Sequence, residues 1–238
     1  MKLTLTDGDS IPDPSLYRRL IGRLMYKTIS WLDITFAVHK LSQYMNTPLT
    51  THLVVVYHLL QYLKSTLGQG LFFPAQNFIH LSAYADAKWG NYLDTCKSTT
   101  GFCVFLGDAL ILWKPVKQVT APKSSTESEY RALSSVASEV VRLKRLLGHF
   151  EVDIGSTMLF CDNKSAIHLT SNPSYHERLK YIDIDCHFIR ELIQSNIVKL
   201  IHVKTQHQIV DIFTKPLPAS SFTNFIRKLG IIENLKVI

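Results

Sequence analysis

Four acidic residues, each in a different segment of the chain, have the type and placement that metal chemistry needs. They are Asp86 in YADAKWG, Glu129 in KSSTESEYRAL, Asp162 in LFCDNKSA and Asp211 in IVDIFTKPL. Acids are otherwise scarce, with 19 Asp and Glu against 26 Lys and Arg. Mg²⁺ takes oxygen ligands, so carboxylates at the edge of a hydrophobic core are suited to hold it. The sequence therefore predicts a divalent-metal site of the kind that a metal-dependent nuclease uses.

Each of these acids also has an ordinary structural explanation. Asp86 ends a strand-like run and could form a turn, and Asp162 could cap the helix that follows it. Glu129 completes the pattern Thr126-x-x-Glu129, which matches a capping box at a helix start. Asp211 in the first turn of a short helix would favour the helix dipole. Only the joint arrangement of the four favours a metal site.

Against its capping explanation, Glu129 leads the apolar stripe of a long predicted helix. Apolar residues follow it at +4, +7, +11, +14 and +18, namely Leu133, Val136, Val140, Leu143 and Leu147. A carboxylate on the face that packs against a sheet is costly unless it is paired or metal-bound. The neighbouring Glu127 leads a more polar line, so Glu129 is the predicted ligand of the two.

Composition and charge narrow the classes of protein. A chain of 238 residues has room for one large domain or two small ones, and 46% hydrophobic residues fit a folded globular protein. A net charge of +7 favours a polyanionic partner, with nucleic acid ahead of a membrane. The four cysteines form no C-x-x-C pair, which argues against structural zinc. We expect an intracellular protein, because neither a signal peptide nor a run of 18 apolar residues is found.

The pattern of elements predicts a helical part followed by a mixed α/β part. An irregular lead-in at 1–14 precedes a helical segment at 15–73, whose three amphipathic helices lie within 15–66. Predicted strands then alternate with helices, at 79–85, 102–106, 110–113, 158–161 and 197–203, with a long helix at about 126–147 and a short one near 209–214. Three consecutive strands before the alternation indicate a mixed sheet with helices packed on it. We expect 219–238 to be a tail with a weak helix.

Five segments, in order, carry a resemblance to a known family: YADAKWG, STTGFCVFLGDALILWK, KSSTESEYRAL, CDNKSAIHLTSNPSYHERLKYIDIDCHFIRE and VDIFTKPL. Together they resemble the ribonuclease H domain of copia-type LTR retrotransposon Pol polyproteins, over residues 79–218. The helical segment at 15–73 is similar to the part that follows the polymerase palm in those polyproteins. No Tyr-x-Asp-Asp polymerase motif is present. We therefore expect a C-terminal fragment of a Pol chain, with the missing polymerase domains as possible partners.

The resemblance implies a fold, a cofactor and an activity. The fold would be RNase H-like, an α+β arrangement in which a five-stranded mixed sheet carries flanking helices. The quartet Asp86, Glu129, Asp162 and Asp211 would hold two Mg²⁺ ions, or Mn²⁺, and cleave the RNA strand of an RNA–DNA hybrid. Hybrid recognition would rest on groove shape, phosphates and the 2′-hydroxyl groups.

Candidate contacts to nucleic acid are less specific than the acids. The hydroxyl groups of Ser98 and Thr99 could bond a backbone phosphate, although both residues could equally serve a turn. Lys123, Arg178 and Lys180 are further candidates for phosphate contacts, and an ordinary solvated surface would explain them equally well.

Some positions depart from the family pattern, and they keep a second hypothesis open. Asp185 stands where the family often has a basic residue, and Lys88 replaces a common acid beside Asp86. Thr205 stands nearest the position of a histidine that some related enzymes use. Trp31-Leu32 stands where the family usually has Arg-Pro. This change, the change at Asp185 and the missing polymerase support the alternative function, a catalytically silent nucleic-acid-binding remnant of a decayed element. A different metal nuclease on the same fold is a third hypothesis.

Overall fold

The computed structural model describes residues 3, 4, 6, 8–92, 96–171 and 183–233. The chain divides into two compact units, one formed by Met1–Leu71 with Ile231–Ile238 and the other by Phe72–Gly230. In chain order the helices and strands are α1 (Pro14–Lys27), α2 (Thr35–Leu41), α3 (Thr50–Ser65), β1 (Gln69–Leu71), β2 (Leu81–Lys88), β3 (Thr99–Leu106), β4 (Ala109–Lys117), α4 (Ser125–Gly148), β5 (Thr157–Cys161), α5 (Lys164–Ser171), α6 (Asp183–Gln194), β6 (Val198–His202), α7 (Asp211–Thr214), α8 (Ala219–Lys228) and β7 (Ile231–Glu233).

In the first unit, three helices pack around one apolar core. Tyr17 and Ile21 of α1 are fully buried, and they pack in one cluster with residues of α2 and α3 such as Val38 and Val56. The Tyr17 hydroxyl donates a hydrogen bond to the Leu41 carbonyl (2.8 Å), which satisfies its polar group inside the core. Helical spacing of apolar residues thus produces the three helices that the sequence predicts.

The C-terminal end of the described chain returns to the first unit. Strand β7 pairs antiparallel with β1, and Gly70 lies opposite Ile232. The sequence predicted a tail with a weak helix at 219–238. A helix, α8, forms there, but the strand β7 was not predicted. A strand of three residues is too short to show a two-residue alternation, and its partner lies far away in sequence, so its pattern carried no signal.

The second unit is built on a five-stranded sheet with the order β4-β3-β2-β5-β6. Strands β2, β3 and β4 form an antiparallel meander, whereas β5 and β6 lie parallel to β2 and to each other. The long helix α4 packs on β2, where Ala83 and Ala85 leave room for Leu133 and Val136. A mixed sheet of this order with flanking helices is the RNase H-like fold, which confirms the prediction.

Among the described residues, no helix is both long enough and apolar enough to cross a bilayer.

Candidate metal centre

The four predicted acids come from four elements of the second unit that meet at one edge of the sheet. Asp86 lies near the end of the central strand β2, and Asp162 directly follows the parallel neighbour β5. Glu129 is in the first turns of α4, and Asp211 begins α7. The carboxyl ends of neighbouring parallel strands share one edge of a sheet, so the topology itself brings Asp86 and Asp162 together.

The hydrogen bonds at the start of α4 show that Glu129 is not needed to cap this helix. The hydroxyl oxygen of Ser124 caps the helix by accepting a hydrogen bond from the amide of Glu127 (3.1 Å). The Glu127 carboxylate in turn accepts from the amide of Lys123 (2.7 Å) and pairs with Arg131 (2.6 Å). The capping explanation for Thr126 and Glu129 is therefore wrong, because Ser124 and Glu127 fill that role.

Glu129 instead reaches towards the sheet. Its Oε2 atom accepts a hydrogen bond from the backbone amide of Ala87 (3.2 Å), the residue next to Asp86. Ligand atoms of Glu129, Asp162 and Cys161 all lie within 4.8 Å of one another. Burial raises the pKa of the Cys161 thiol, so this sulfur stays protonated and is a poor ligand for a hard cation. The oxygen donors are therefore the carboxylates.

Two features allow α7 to lie close to Asp86: a hydroxyl group on α7 and a glycine on β3. The Thr214 hydroxyl donates a hydrogen bond to Asp86 Oδ2. Gly101 lies directly opposite Asp86 on β3. A Cβ atom at Gly101 would lie 2.7 Å from Thr214 Cγ2 and 2.9 Å from Val210 Cγ1. Only a residue without a side chain lets α7 approach the sheet so closely.

Asp211 is paired with a lysine that the sequence did not single out. Lys215 Nζ lies 2.8 Å from Asp211 Oδ1, and the lysine side chain is 27% exposed. Burial alone would lower the pKa of Lys215, but the carboxylates of Asp86 and Asp211 hold it above its usual value. The i, i+4 spacing of Asp211 and Lys215 was the available sequence signal.

The raised pKa values of three of the acids indicate that ionising all four would put more negative charge here than the surrounding protein neutralises. Burial, followed by the charge of Asp86, raises the pKa of Glu129 to about 9 and that of Asp211 to about 7. Burial is also the main reason why the pKa of Asp86 is raised, with Asp162 adding to it and Lys215 opposing it. Three of the four acids are at most 7% exposed. An all-oxygen donor set with this excess charge fits divalent cations.

Two of the predicted phosphate contacts are buried in the protein. Ser98 is fully buried, and its hydroxyl oxygen accepts a hydrogen bond from the Gly90 amide (3.1 Å). Thr99 is 2% exposed and accepts from the Asn91 side chain (3.1 Å). Both hydroxyl groups stabilise the connection between β2 and β3, so the structure argues against direct phosphate contacts. They correspond to the turn explanation instead.

The other predicted nucleic-acid contacts stay predictions. Lys123 is exposed just before α4, whereas Arg178 and Lys180 lie outside the described residues. Asp185, the departure from the family pattern, accepts a hydrogen bond from the Ser134 hydroxyl (2.6 Å) and so joins α6 to α4. That contact gives Asp185 a structural role.

Comparison with known proteins gives a close match by sequence. The chain is 40% identical over 233 residues to a retrovirus-related Pol polyprotein from transposon RE2 of Arabidopsis thaliana, covering 98% of this chain. It is 33% identical over 219 residues to the one from transposon TNT 1-94 of Nicotiana tabacum, covering 92% of this chain. In each case it spans 16% of the length of the relative. No protein-family model matches the chain.

A solved structure is similar at low sequence identity. The N-terminal RNase H domain of rv2228c from Mycobacterium tuberculosis is 12% identical, with a TM-score of 0.41 over 63% of this chain and 98% of that one. Strand order, rather than this similarity, defines the second unit as an RNase H-like domain. The chain is homologous to copia-type retrotransposon Pol polyproteins over most of its own length.

Proposed function

We propose that this chain is a metal-dependent endonuclease that hydrolyses the RNA strand of RNA–DNA hybrids. One observation supports it above the others. Four carboxylates from four elements lie at one sheet edge, and three of them are almost completely buried. Glu129 and Asp162 offer ligand atoms within 4.8 Å of each other, and Asp86 and Asp211 lie close enough for their charges to act within the same group. Burying ionised carboxylates in this way is unfavourable unless their charge is balanced, and this supports a functional site rather than a structural feature.

The proposed ligands are Asp86, Glu129, Asp162 and Asp211, and Mg²⁺ or Mn²⁺ would be the cation. Two bound cations would supply the charge that activates a water molecule and stabilises a leaving 3′-oxygen. The chain orients the ligands beforehand. The Thr214 hydroxyl fixes one oxygen of Asp86, and the Ala87 amide fixes one oxygen of Glu129. Such partners keep the ligands in place and tune their affinity for the cation.

Asp162 has a different position from the other three ligands. It is only partly buried and follows the end of β5, so it lies where a substrate and water can reach the cluster. A carboxylate there can hold a cation at the boundary between protein and solvent. We therefore place the reacting phosphate on the side of Asp162.

The substrate assignment rests on charge and on family. A net charge of +7 favours a polyanion, although the cluster itself is negative. The similarity to retrotransposon Pol polyproteins supports an RNA–DNA hybrid as the polyanion. The exposed Lys123 precedes α4, whose first turns carry Glu129, and is the proposed phosphate contact among the described residues. Arg178 and Lys180 remain proposed contacts on sequence grounds.

Cleavage of an end-labelled RNA–DNA hybrid tests this function directly. Wild-type protein, Asp162→Asn and a matched Asp153→Asn control are compared in Mg²⁺, in Mn²⁺ and in EDTA. Asp153 is an exposed carboxylate between α4 and β5, outside the cluster, so its loss should leave the rate unchanged. The proposal expects metal-dependent cutting of the RNA strand by wild type and Asp153→Asn only.

Parallel substrates and binding measurements separate the alternatives. Equal cutting of duplex DNA or of single strands would indicate a different metal nuclease on the same fold. Hybrid binding by folded wild-type protein without any cutting in either metal would contradict the proposal, and it would favour the silent binding remnant.

A further inference from the structure

The half-buried lysine in the acid cluster is the feature that the proposed metal chemistry leaves unused. Lys215 directly follows α7, and its ammonium group pairs with Asp211 at 2.8 Å. Its charge also acts on Asp86 and on Glu129, where it favours the ionised carboxylates. A single flexible cation is thus shared by several proposed ligands.

We propose that Lys215 is an internal counter-cation of the metal-free site and leaves the acid cluster when a divalent cation binds. This role rests on the proposed function. Lys215 would then be a positioning residue that sets the metal affinity of the site. This role concerns one side chain of the chain itself, and it is distinct from ligation by the four acids.

The two kinds of cation compete for the same oxygen atoms. Mg²⁺ binds carboxylate oxygens at about 2.0–2.1 Å and demands a nearly octahedral set of ligands. An ammonium group 2.8 Å from Asp211 Oδ1 occupies the approach to that oxygen. Like charges a few ångströms apart also repel strongly in a partly buried site. Binding of a metal through Asp211 is therefore expected to break the ion pair.

The side chain of Lys215 is suited to such an exchange. A lysine has a flexible four-carbon stem and can move its ammonium group into water while the stem stays packed. With 27% of its surface exposed, Lys215 already has a path to solvent. An arginine at this position would keep the charge, but it would bind a carboxylate through a rigid fork and would leave less readily.

The benefit of the lysine lies in the metal-free protein. Without any cation, the ionised carboxylates would repel one another and push α7 away from β2. Lys215 offsets part of that repulsion as long as no metal is bound. Loss of Lys215 should therefore have two effects. It should lower the stability of the metal-free protein, and it should raise the affinity for the metal.

Calorimetric titration with Mg²⁺ and Mn²⁺ measures the metal affinity of wild type, Lys215→Met and Lys88→Met. Lys88 is the matched control, because it is exposed and its charge also acts on Asp86. Lys215→Met should bind the metal at least about fivefold more tightly than wild type, within the usual range for coupled sites. It should also melt at a lower temperature in EDTA. Lys88→Met should change both quantities less.

Chemical labelling of the wild-type protein tests the displacement even if Lys215→Met does not fold. Reductive methylation followed by mass spectrometry measures the reactivity of each lysine with and without Mg²⁺. Release of the ammonium group should increase labelling of Lys215 at saturating Mg²⁺, with Lys88 as the internal reference.

The outcomes distinguish this inference from the proposed function. Metal binding by wild type with unchanged or weaker binding by Lys215→Met, or unchanged Lys215 labelling in Mg²⁺, would overturn the role of Lys215 and leave the metal site standing. Failure of wild type to bind either metal would instead overturn the proposed function on which the role rests.

Discussion

Both units of the molecule bury carboxylates, but they satisfy them in different ways. In the first unit Asp33 is 6% exposed and accepts one hydrogen bond from the Tyr62 hydroxyl (2.6 Å). Its other oxygen has no hydrogen-bond partner among the described residues. In the second unit Asp86, Glu129 and Asp211 are equally buried, and their bonds come from a hydroxyl group, a backbone amide and a lysine.

The difference teaches that burial alone does not identify a metal site. Burial raises the pKa of Asp33, and a single buried carboxyl group that accepts a hydrogen bond from a tyrosine needs no cation. Several acids that raise one another's pKa values cannot all be relieved by hydrogen bonds from neutral groups. Convergence of carboxylates from separate elements is therefore the informative observation.

The largest expected effect is on cleavage. Asp162→Asn should lower the rate of hybrid hydrolysis by more than about 100-fold, because even the partners of metal ligands typically contribute 10- to 100-fold. Asp33→Asn should leave that rate unchanged. Initial rates on a labelled hybrid at saturating Mg²⁺ measure both. Equal losses in the two variants would mean that the proposed contrast between the units is wrong.

The next effect concerns the hydroxyl group that holds Asp86. Thr214→Val removes that hydrogen bond with little change in shape, and we expect metal affinity to fall about 10-fold. Thr214→Ser keeps the hydroxyl and should stay close to wild type. In the first unit, Tyr62→Phe should lower stability by about 1–3 kcal/mol without changing metal affinity, because it leaves Asp33 without its partner. Calorimetry measures the loss of metal affinity, and thermal melting measures the loss of stability.

Glycine-to-alanine substitutions should have opposite signs in the two units. Gly101→Ala places a methyl group against α7 and should destabilise the protein by about 1–3 kcal/mol. Gly22→Ala on α1 meets nothing within 4 Å and should stabilise the helix by about 0.4–1 kcal/mol. Urea unfolding of both variants provides the measurement. A neutral Gly101→Ala would show that α7 does not depend on this close approach.

The pH dependence of stability is the finest test. Glu129 has a pKa of about 9 in the folded protein against an ordinary value of 4.5, so the folded state binds more protons between these values. Its contribution to stability is full below pH 4.5 and is lost as pH rises towards 9. Asp211 contributes in the same direction between pH 3.8 and about 7.

In EDTA, the melting temperature of the second unit should therefore fall as pH rises across this range. Saturating Mg²⁺ should stabilise the protein more at pH 8.5 than at pH 6, since metal ligation requires deprotonated carboxylates. Glu129→Gln should reduce both slopes. A wild-type melting temperature that rises with pH in EDTA would contradict the excess of buried negative charge.

Much of the site could be predicted from local patterns. Asp86 and Asp162 follow apolar strand runs, and Glu129 leads an apolar helical stripe, so periodicity placed each of them at the border of the core. The resemblance to the family was needed to join them in one site. The two glutamates of α4 were harder to assign. Each stands three residues after a hydroxyl residue, and only the structure shows that Ser124 and Glu127 form the cap while Glu129 faces β2.

Features that depend on distant packing were missed. The need for glycine at position 101 arises from α7, which lies more than a hundred residues later in the chain. Lys215 gains its significance from Asp86 and Asp211 together, and no spacing rule includes Asp86. Ser98 and Thr99 looked like exposed turn hydroxyls. Both are buried, and their hydroxyl oxygens accept hydrogen bonds from the Gly90 amide and the Asn91 side chain.

Anomalous scattering from crystals grown in Mn²⁺ would test the central claim most directly, because it locates the ions without relying on activity. We expect strong peaks in contact with Asp86, Glu129, Asp162 and Asp211, with Asp33 free of any peak and Lys215 turned away from Asp211. No peak at the four carboxylates at saturating Mn²⁺ and pH 8.5, with Lys215 still paired, would contradict the account.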